Sequence, residues 1–353
     1  MKRTRALAAI GAVAAAALLL GPGTASAAAA SPVIPTAPPV LNADGSMPNA
    51  PDGGAKKTAP ETNLAKFPKL PVVRPSAAQS AAAAAAPKVA EVMTFKKKAD
   101  GSVGIGLYEP HPGVTPEQLA SNLRAAGDVT AVATTDTPDV AAAKAVGTPV
   151  QTSAAQTQLV QPMSAATWQN CQLGTAVTLT CAVSYWANNG LNHPNVRFND
   201  HTSSVWPVNT AVYYANQAQG IDSTYLWDSC PFKAGARCVD VYSGDYGNTG
   251  WDGFAYLNWP NGSHTTPTGT TPPYGSGVFS EQGNYVQLND YYSNTSQGHQ
   301  HVAVHELGHV LGLGHGSGQN DVMNPSFGGA DHPPLFPSSD EYALLANLYS
   351  VVH

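Results

Sequence analysis

Five residues spread over eleven positions, His305, Glu306, His309, Gly312 and His315, have the types and spacing to hold a divalent metal ion and move a proton beside it. On a helix, positions i and i+4 share a face, so His305 and His309 point the same way, one turn apart. Two imidazoles so placed can both reach one Zn2+ at about 2.0–2.1 Å. Glu306 lies about 100° round the helix. That is too far for a third ligand from the same face, yet close to the metal's open side, where it can take a proton from a zinc-bound water. Gly312 tolerates positive φ, so the helix can stop there and the chain can reverse, bringing back His315 as the third ligand. Three neutral nitrogens leave the charge of the dication uncompensated and a fourth position open. Such a site lowers the pKa of water toward about 7 and polarises a carbonyl. An ordinary helix with three unrelated histidines would match this pattern in about one chain in 10⁴ to 10⁵.

These residues need a scaffold, and the surrounding sequence describes one. Helical patterns are predicted over 301–313 and 339–348, and a third from Pro207 to Gln219, ended by Gly220. Alternating stretches at 181–185, 195–198, 238–242, 253–257 and 285–289 read as strands. Strands mixed with three helices in under 200 residues predict one α/β or α+β domain from about Met163 to His353.

Upstream, the organisation changes. Lys2, Arg3 and Arg5 precede an apolar run from Ala6 to Leu20, a Gly-Pro-Gly break and Ala25-Ser26-Ala27. This is the pattern of an export signal over residues 1–27, and the run falls short of the ~20 residues of a membrane span. Residues 28–90, rich in Ala and Pro, read as a flexible linker. Residues 91–162 begin as a small α+β unit, with strands at 91–96 and 102–108 and a third at 128–133. Its helix opens at Thr115-Pro116, with Gln118 completing a capping box, and closes at Gly127. An Ala/Thr/Gln-rich stretch to about residue 163 then offers a place for proteolytic separation, which makes 91–162 a candidate pro-region.

Four cysteines, Cys171, Cys181, Cys230 and Cys238, in an exported chain predict disulfides. Three pairings are open, with the local pairs 171–181 and 230–238 the working assignment. From Cys171 onward there are three basic and thirteen acidic residues, a balance that argues against a nucleic-acid partner. The expected product is secreted, monomeric and free of the membrane.

The segment from His305 to Tyr349 resembles the metzincins, and among them the matrixins, the matrix-metalloprotease family. Met323, in Val322-Met323-Asn324-Pro325, stands eight residues after His315, as in a matrixin Met-turn. Gly308, Leu311-Gly312-Leu313 and the closing Asp340-Glu341…Leu348-Tyr349 are similar too. The resemblance implies a twisted, mixed five-stranded sheet with an antiparallel edge strand, an active-site helix, a Met-turn and a C-terminal helix. It implies one catalytic zinc on His305, His309 and His315, an apolar floor from Met323, and Glu306 as general base in a metalloendopeptidase. Gly253–Leu257 would be the edge strand, with Gly253, Phe254, Ala255 and Tyr256 binding a protein or peptide substrate as an added strand.

Other features depart from that family. Gly316 follows the third histidine and Asn324 follows the methionine. The His-x-Asp loop of a structural zinc is replaced by Ser243-Gly244-Asp245-Tyr246-Gly247, and structural calcium is left open. Matrixin pro-segments park a cysteine on the zinc, yet no cysteine precedes Cys171. If residues 28–162 keep the site shut, another ligand is needed, and a carboxylate such as Asp136 or Asp139 is a candidate. A pro-region that only assists folding is the alternative. Two other functions remain in view, a cell-wall peptide hydrolase and a non-catalytic zinc-binding protein on the same fold. His299 and His301, along with His193, His201, His264 and His332, are expected at the surface.

Overall fold

Strand residues here alternate between two apolar layers. Met93, Ile105, Leu107, Ala255, Val286 and Leu288 face one layer, while Val92, Tyr108, Phe254, Tyr256 and Tyr285 face the other. That period of two fixes a sheet with both faces covered. The computed structural model describes residues 88–99, 102–147, 172–179, 186, 193–227, 230, 237–259, 283–292, 295–327 and 333–350. All of them belong to one unit, Pro32–His353.

In chain order the strands are β1 (Glu91–Lys97), β2 (Val103–Pro110), β3 (Val132–Thr134), β4 (Gln172–Leu173), β5 (Ala176–Thr178), β6 (Asn195–His201), β7 (Asp222–Leu226), β8 (Arg237–Gly244), β9 (Trp251–Trp259), β10 (Asn284–Asn289) and β11 (Leu313–Gly314). The helices are α1 (Pro116–Ala125), α2 (Pro138–Val146), α3 (Val208–Ala215), α4 (Ser296–Leu311) and α5 (Ser339–Ser350). Eight strands form one sheet in the order β3-β1-β2-β9-β10-β8-β6-β7, and β11-β5-β4 form a small second sheet. From β7 to β10 the neighbours are parallel; β9 is antiparallel to β10.

The mixed α/β architecture is the one expected, and β9 has the expected direction. Within residues 163–353 the main sheet has the expected number of strands, five, in the order β9-β10-β8-β6-β7, with β9 antiparallel at one end, but the hairpin strands β1 to β3 extend it to eight, so β9 is not an edge in the intact chain. β2 pairs with β9 antiparallel along its length, from Val103↔Trp259 to Glu109↔Gly253, and β1 and β3 follow outward. An unpaired strand edge is a row of unsatisfied amides and carbonyls, and here residues of the N-terminal hairpin satisfy it. The strand expected at 181–185 lies outside the described residues.

The helices follow their capping signals. Thr115 accepts from the Gln118 amide at 3.2 Å, and Gln118 Oε1 accepts from the Thr115 amide at 2.8 Å, closing the predicted capping box. Leu119 and Leu123 of α1 then cover the layer around Tyr108 and Phe254. On the opposite face lies α4, whose residues from His301 to Leu311 are all buried. It packs against α3 and against β9 and β10. Helix α2 and strand β7 were not predicted; α2, Pro-Asp-Val-Ala-Ala-Ala-Lys-Ala-Val, is compositionally close to the Ala-rich segments around it.

Candidate metal centre

Helix α4 begins at Thr295, whose hydroxyl accepts from the Gly298 amide at 3.0 Å, and it ends at Gly312 with φ +105°. A side chain with a Cβ is strained there, so glycine is what lets the chain turn back. The turn leads into β11, where Leu313 and Gly314 pair with Thr178 and Val177 of β5. The next residue, His315, is thereby returned to the face of α4 that carries His305 and His309.

Each imidazole is held from behind. His305 donates from Nδ1 to the Val322 carbonyl at 2.9 Å, and His309 donates from Nδ1 to the Leu313 carbonyl at 2.9 Å. A carbonyl can only accept, so in both rings the proton sits on Nδ1 and the Nε2 lone pair is free. His315 Nδ1 stands 3.3 Å from the Ala90 carbonyl and 3.1 Å from Glu91 Oε2. Nε2 of His315 and Nε2 of His305 are 3.1 Å apart, and His309 Nε2 has no hydrogen-bond partner among the described residues. The three rings form a group whose ligand atoms all lie within 4.8 Å of one another. Burial drives the His309 and His315 pKa values down to about 4, and burial with the neighbouring histidines drives His305 well below its ordinary value. Three neutral, converging nitrogen donors, one of them an orphan, fit a borderline metal such as zinc.

Glu306 is fully buried, and both its oxygens lack hydrogen-bond partners among the described residues. Burial, then the charges of Glu109, Glu91 and Asp252, hold its pKa well above the carboxylate range. The side chain lies against Gly253 of β9, where a Cβ would stand 2.6 Å from Glu306 Cγ. Gly253→Ala should therefore displace the carboxylate and lower kcat about 10²-fold, read from peptide hydrolysis with metal content unchanged. An unaltered kcat would show that the contact has no bearing on the reaction.

Met323 is fully buried, and a Cβ on Gly308 would run into its Sδ, so the small residue in the helix admits the turn at Val322-Met323. The turn is fixed by Glu341 of α5, which accepts from the amides of Val322 at 3.2 Å, Met323 at 2.8 Å and Ser338 at 2.6 Å. At the far end of α5, Tyr349 donates to the Leu311 carbonyl at 2.7 Å. The paired acids and Leu-Tyr of the closing helix thus tie the Met-turn to the end of α4.

Gly253, Phe254, Ala255 and Tyr256 lie on β9 as expected, but both their edges are engaged, by Leu288–Tyr285 of β10 and by Glu109–Gly106 of β2. Cys230 and Cys238 are disulfide-bonded, in line with the working pairing, whereas Cys171 and Cys181 lie outside the described residues. In the loop expected to lack structural zinc, Asp245 accepts from the Gly247 amide at 2.9 Å. Asp136 pairs with Lys144 at 2.5 Å near the surface, and the Asp139 side chain is not described.

Among the histidines expected at the surface, one lies beside the centre. His301 is buried rather than at the surface: its Nδ1 donates to the Pro334 carbonyl at 2.7 Å, and its Nε2 faces Glu109 Oε1 at 3.5 Å. His299 is half-buried against Trp206, and His201 stacks on Tyr242 beside Asp240. Glu91 and Glu109 are the carboxylates that the N-terminal hairpin brings in, Glu91 also accepting from the His315 amide. The available signal was slight: Glu109 sits near the end of a buried strand, and Glu91 opens a strand that closes on two lysines.

Residues 256–350 match the family model described as Matrixin. Human matrilysin (Homo sapiens) is 43% identical over 49 residues, 14% of this chain and 18% of that protein. The chain therefore spans less than a fifth of the length of that curated relative. Over residues 256–350, the stretch that carries His305, His309, His315 and Met323, the chain is matrixin-like.

Proposed function

We propose that this chain is the precursor of a secreted zinc metalloendopeptidase. The carrying observation is the convergence of three outward-bonded histidines beside a fully buried glutamate. Similarity to the matrixins supports a zinc-dependent peptidase. In this reading residues 1–27 are the signal, 28–90 a linker, 91–162 the pro-region and 163–353 the catalytic domain. No helix among the described residues is long and apolar enough to cross a membrane.

Zinc held by His305, His309 and His315 would supply Lewis acidity, polarising the scissile carbonyl and acidifying a water. The remaining work falls to the chain. Val322 and Leu313 hold the rings of His305 and His309 in the tautomer that presents Nε2. Glu306 receives the water proton and delivers it to the departing amine nitrogen. Strand β9, once its outer edge is free, aligns the substrate by main-chain hydrogen bonds.

Casein and purified cell wall, each given to the proteolytically matured protein with and without a chelator, test this reading. Casein cleavage that stops on chelation and returns with Zn2+ is expected. Cleavage of cell wall alone would reassign the substrate, and binding of zinc with cleavage of neither would make the chain a non-catalytic zinc-binding protein.

A further inference from the structure

We propose that Glu109 is itself a ligand of the metal in the intact chain, taking the position that the three histidines leave open. The inference rests on the zinc centre proposed above. The register of β2 on β9 places Glu109 opposite Gly253, the residue against which Glu306 lies. The Glu109 carboxylate is fully buried, and neither oxygen has a hydrogen-bond partner among the described residues. One of its oxygens, a ring nitrogen of His301 and a ring nitrogen of His305 all lie within 4.8 Å of one another. His305 is common to this group and to the three-histidine group, which does not itself include Glu109, so the carboxylate stands on the His305 side of the centre and must turn toward the ion to bind it.

Charge points the same way. Glu109, Asp252 and Glu306 are all fully buried, and each has an oxygen without a partner. Among the described residues, the basic groups paired with them are His301, 3.5 Å from Glu109, and His111, 2.8 Å from Asp252. Glu91 adds a further carboxylate on the His315 side. Three buried carboxyl groups with so few cations beside them are costly to ionise, and a dication at the histidines would favour their ionised form. An oxygen donor is also compatible with zinc.

The strand that delivers Glu109 is shaped for its seat. Gly104 and Gly106 of β2 lie beneath the Tyr256 and Phe254 rings, where a Cβ would stand 2.8 Å from Tyr256 Cε2 or 2.5 Å from Phe254 Cε2. Glu109 is therefore held in register rather than brought up on a loose loop. With its carboxylate on the metal, the position that hydrolysis needs is filled by the chain itself.

The test uses the full chain loaded with Co2+ in place of zinc, comparing the native protein with Glu109→Gln. Replacing a charged ligand by a neutral amide should shift the visible Co2+ bands and weaken Co2+ binding by more than about 100-fold, beyond the loss typical of a residue that only supports a ligand. Added acetohydroxamate should leave the native spectrum unchanged and alter that of the variant. A folded Glu109→Gln chain with native bands and native affinity would overturn the role of Glu109 while leaving the three-histidine centre standing. Failure of the native chain to bind Co2+ would overturn both. Should Glu109→Gln not fold, Glu109→Asp, which keeps the charge one methylene further back, decides: shifted bands support the assignment and native bands refute it.

Discussion

Glu306→Gln should retain zinc and lose nearly all peptide hydrolysis, a fall in kcat/KM of about 10²–10⁴-fold. The amide has the shape of the carboxylate, so it can lie against Gly253 as Glu306 does, and the histidines keep their own outer partners. What is lost is a group that can accept a proton. Zinc stoichiometry by atomic absorption, measured beside hydrolysis of a peptide after maturation, separates the two effects. Native activity in a zinc-loaded Glu306→Gln protein would remove Glu306 from its proposed role.

The second large effect lies away from the reacting groups. Glu341 is fully buried and satisfies three backbone amides, two of them in the Met-turn. Burial, with the charge of Asp321 beside it, raises its pKa to about 7 against the pull of those amides. Glu341→Ala would orphan all three donors and open a cavity, for an expected loss of about 3–5 kcal/mol. Urea unfolding should move to a lower midpoint with the slope retained. Metal affinity should fall with it, because the Val322 carbonyl that holds the His305 ring belongs to the same turn. An unchanged midpoint would mean that the turn holds its shape without Glu341.

The part of the centre written locally was legible. His305, Glu306, His309 and His315 are bound together by helical spacing and one glycine turn, and Met323 and Glu341 follow at short separations. Local spacing also marked the capping box at Thr115 and the strand at 253–257. What escaped depends on contacts between distant residues. Glu109 meets His301 only because β2 pairs with β9, and nothing in Val-Gly-Ile-Gly-Leu-Tyr-Glu announces that partner. The same pairing moved β9 from edge to interior. His301 looked like a surface residue because its burial comes from Glu109 and Pro334, each more than thirty residues away. The resemblance to matrixins described the sheet as that family builds it, without the three strands that extend it here.

The pairing of β2 with β9 also has a consequence for what a cut can achieve. While Gly147 and Gln172 are joined through the chain, the hairpin and its seat meet at the high effective concentration of a tether. Cleaving that connection removes the tether but none of the contacts: the strand ladder, Leu107 and Met93 in the shared core, and the rings over Gly104 and Gly106 all remain. The association simply becomes bimolecular. Exposure of β9 is then governed by dilution and by destruction of the released piece, so a nicked chain and an uncovered one are different species.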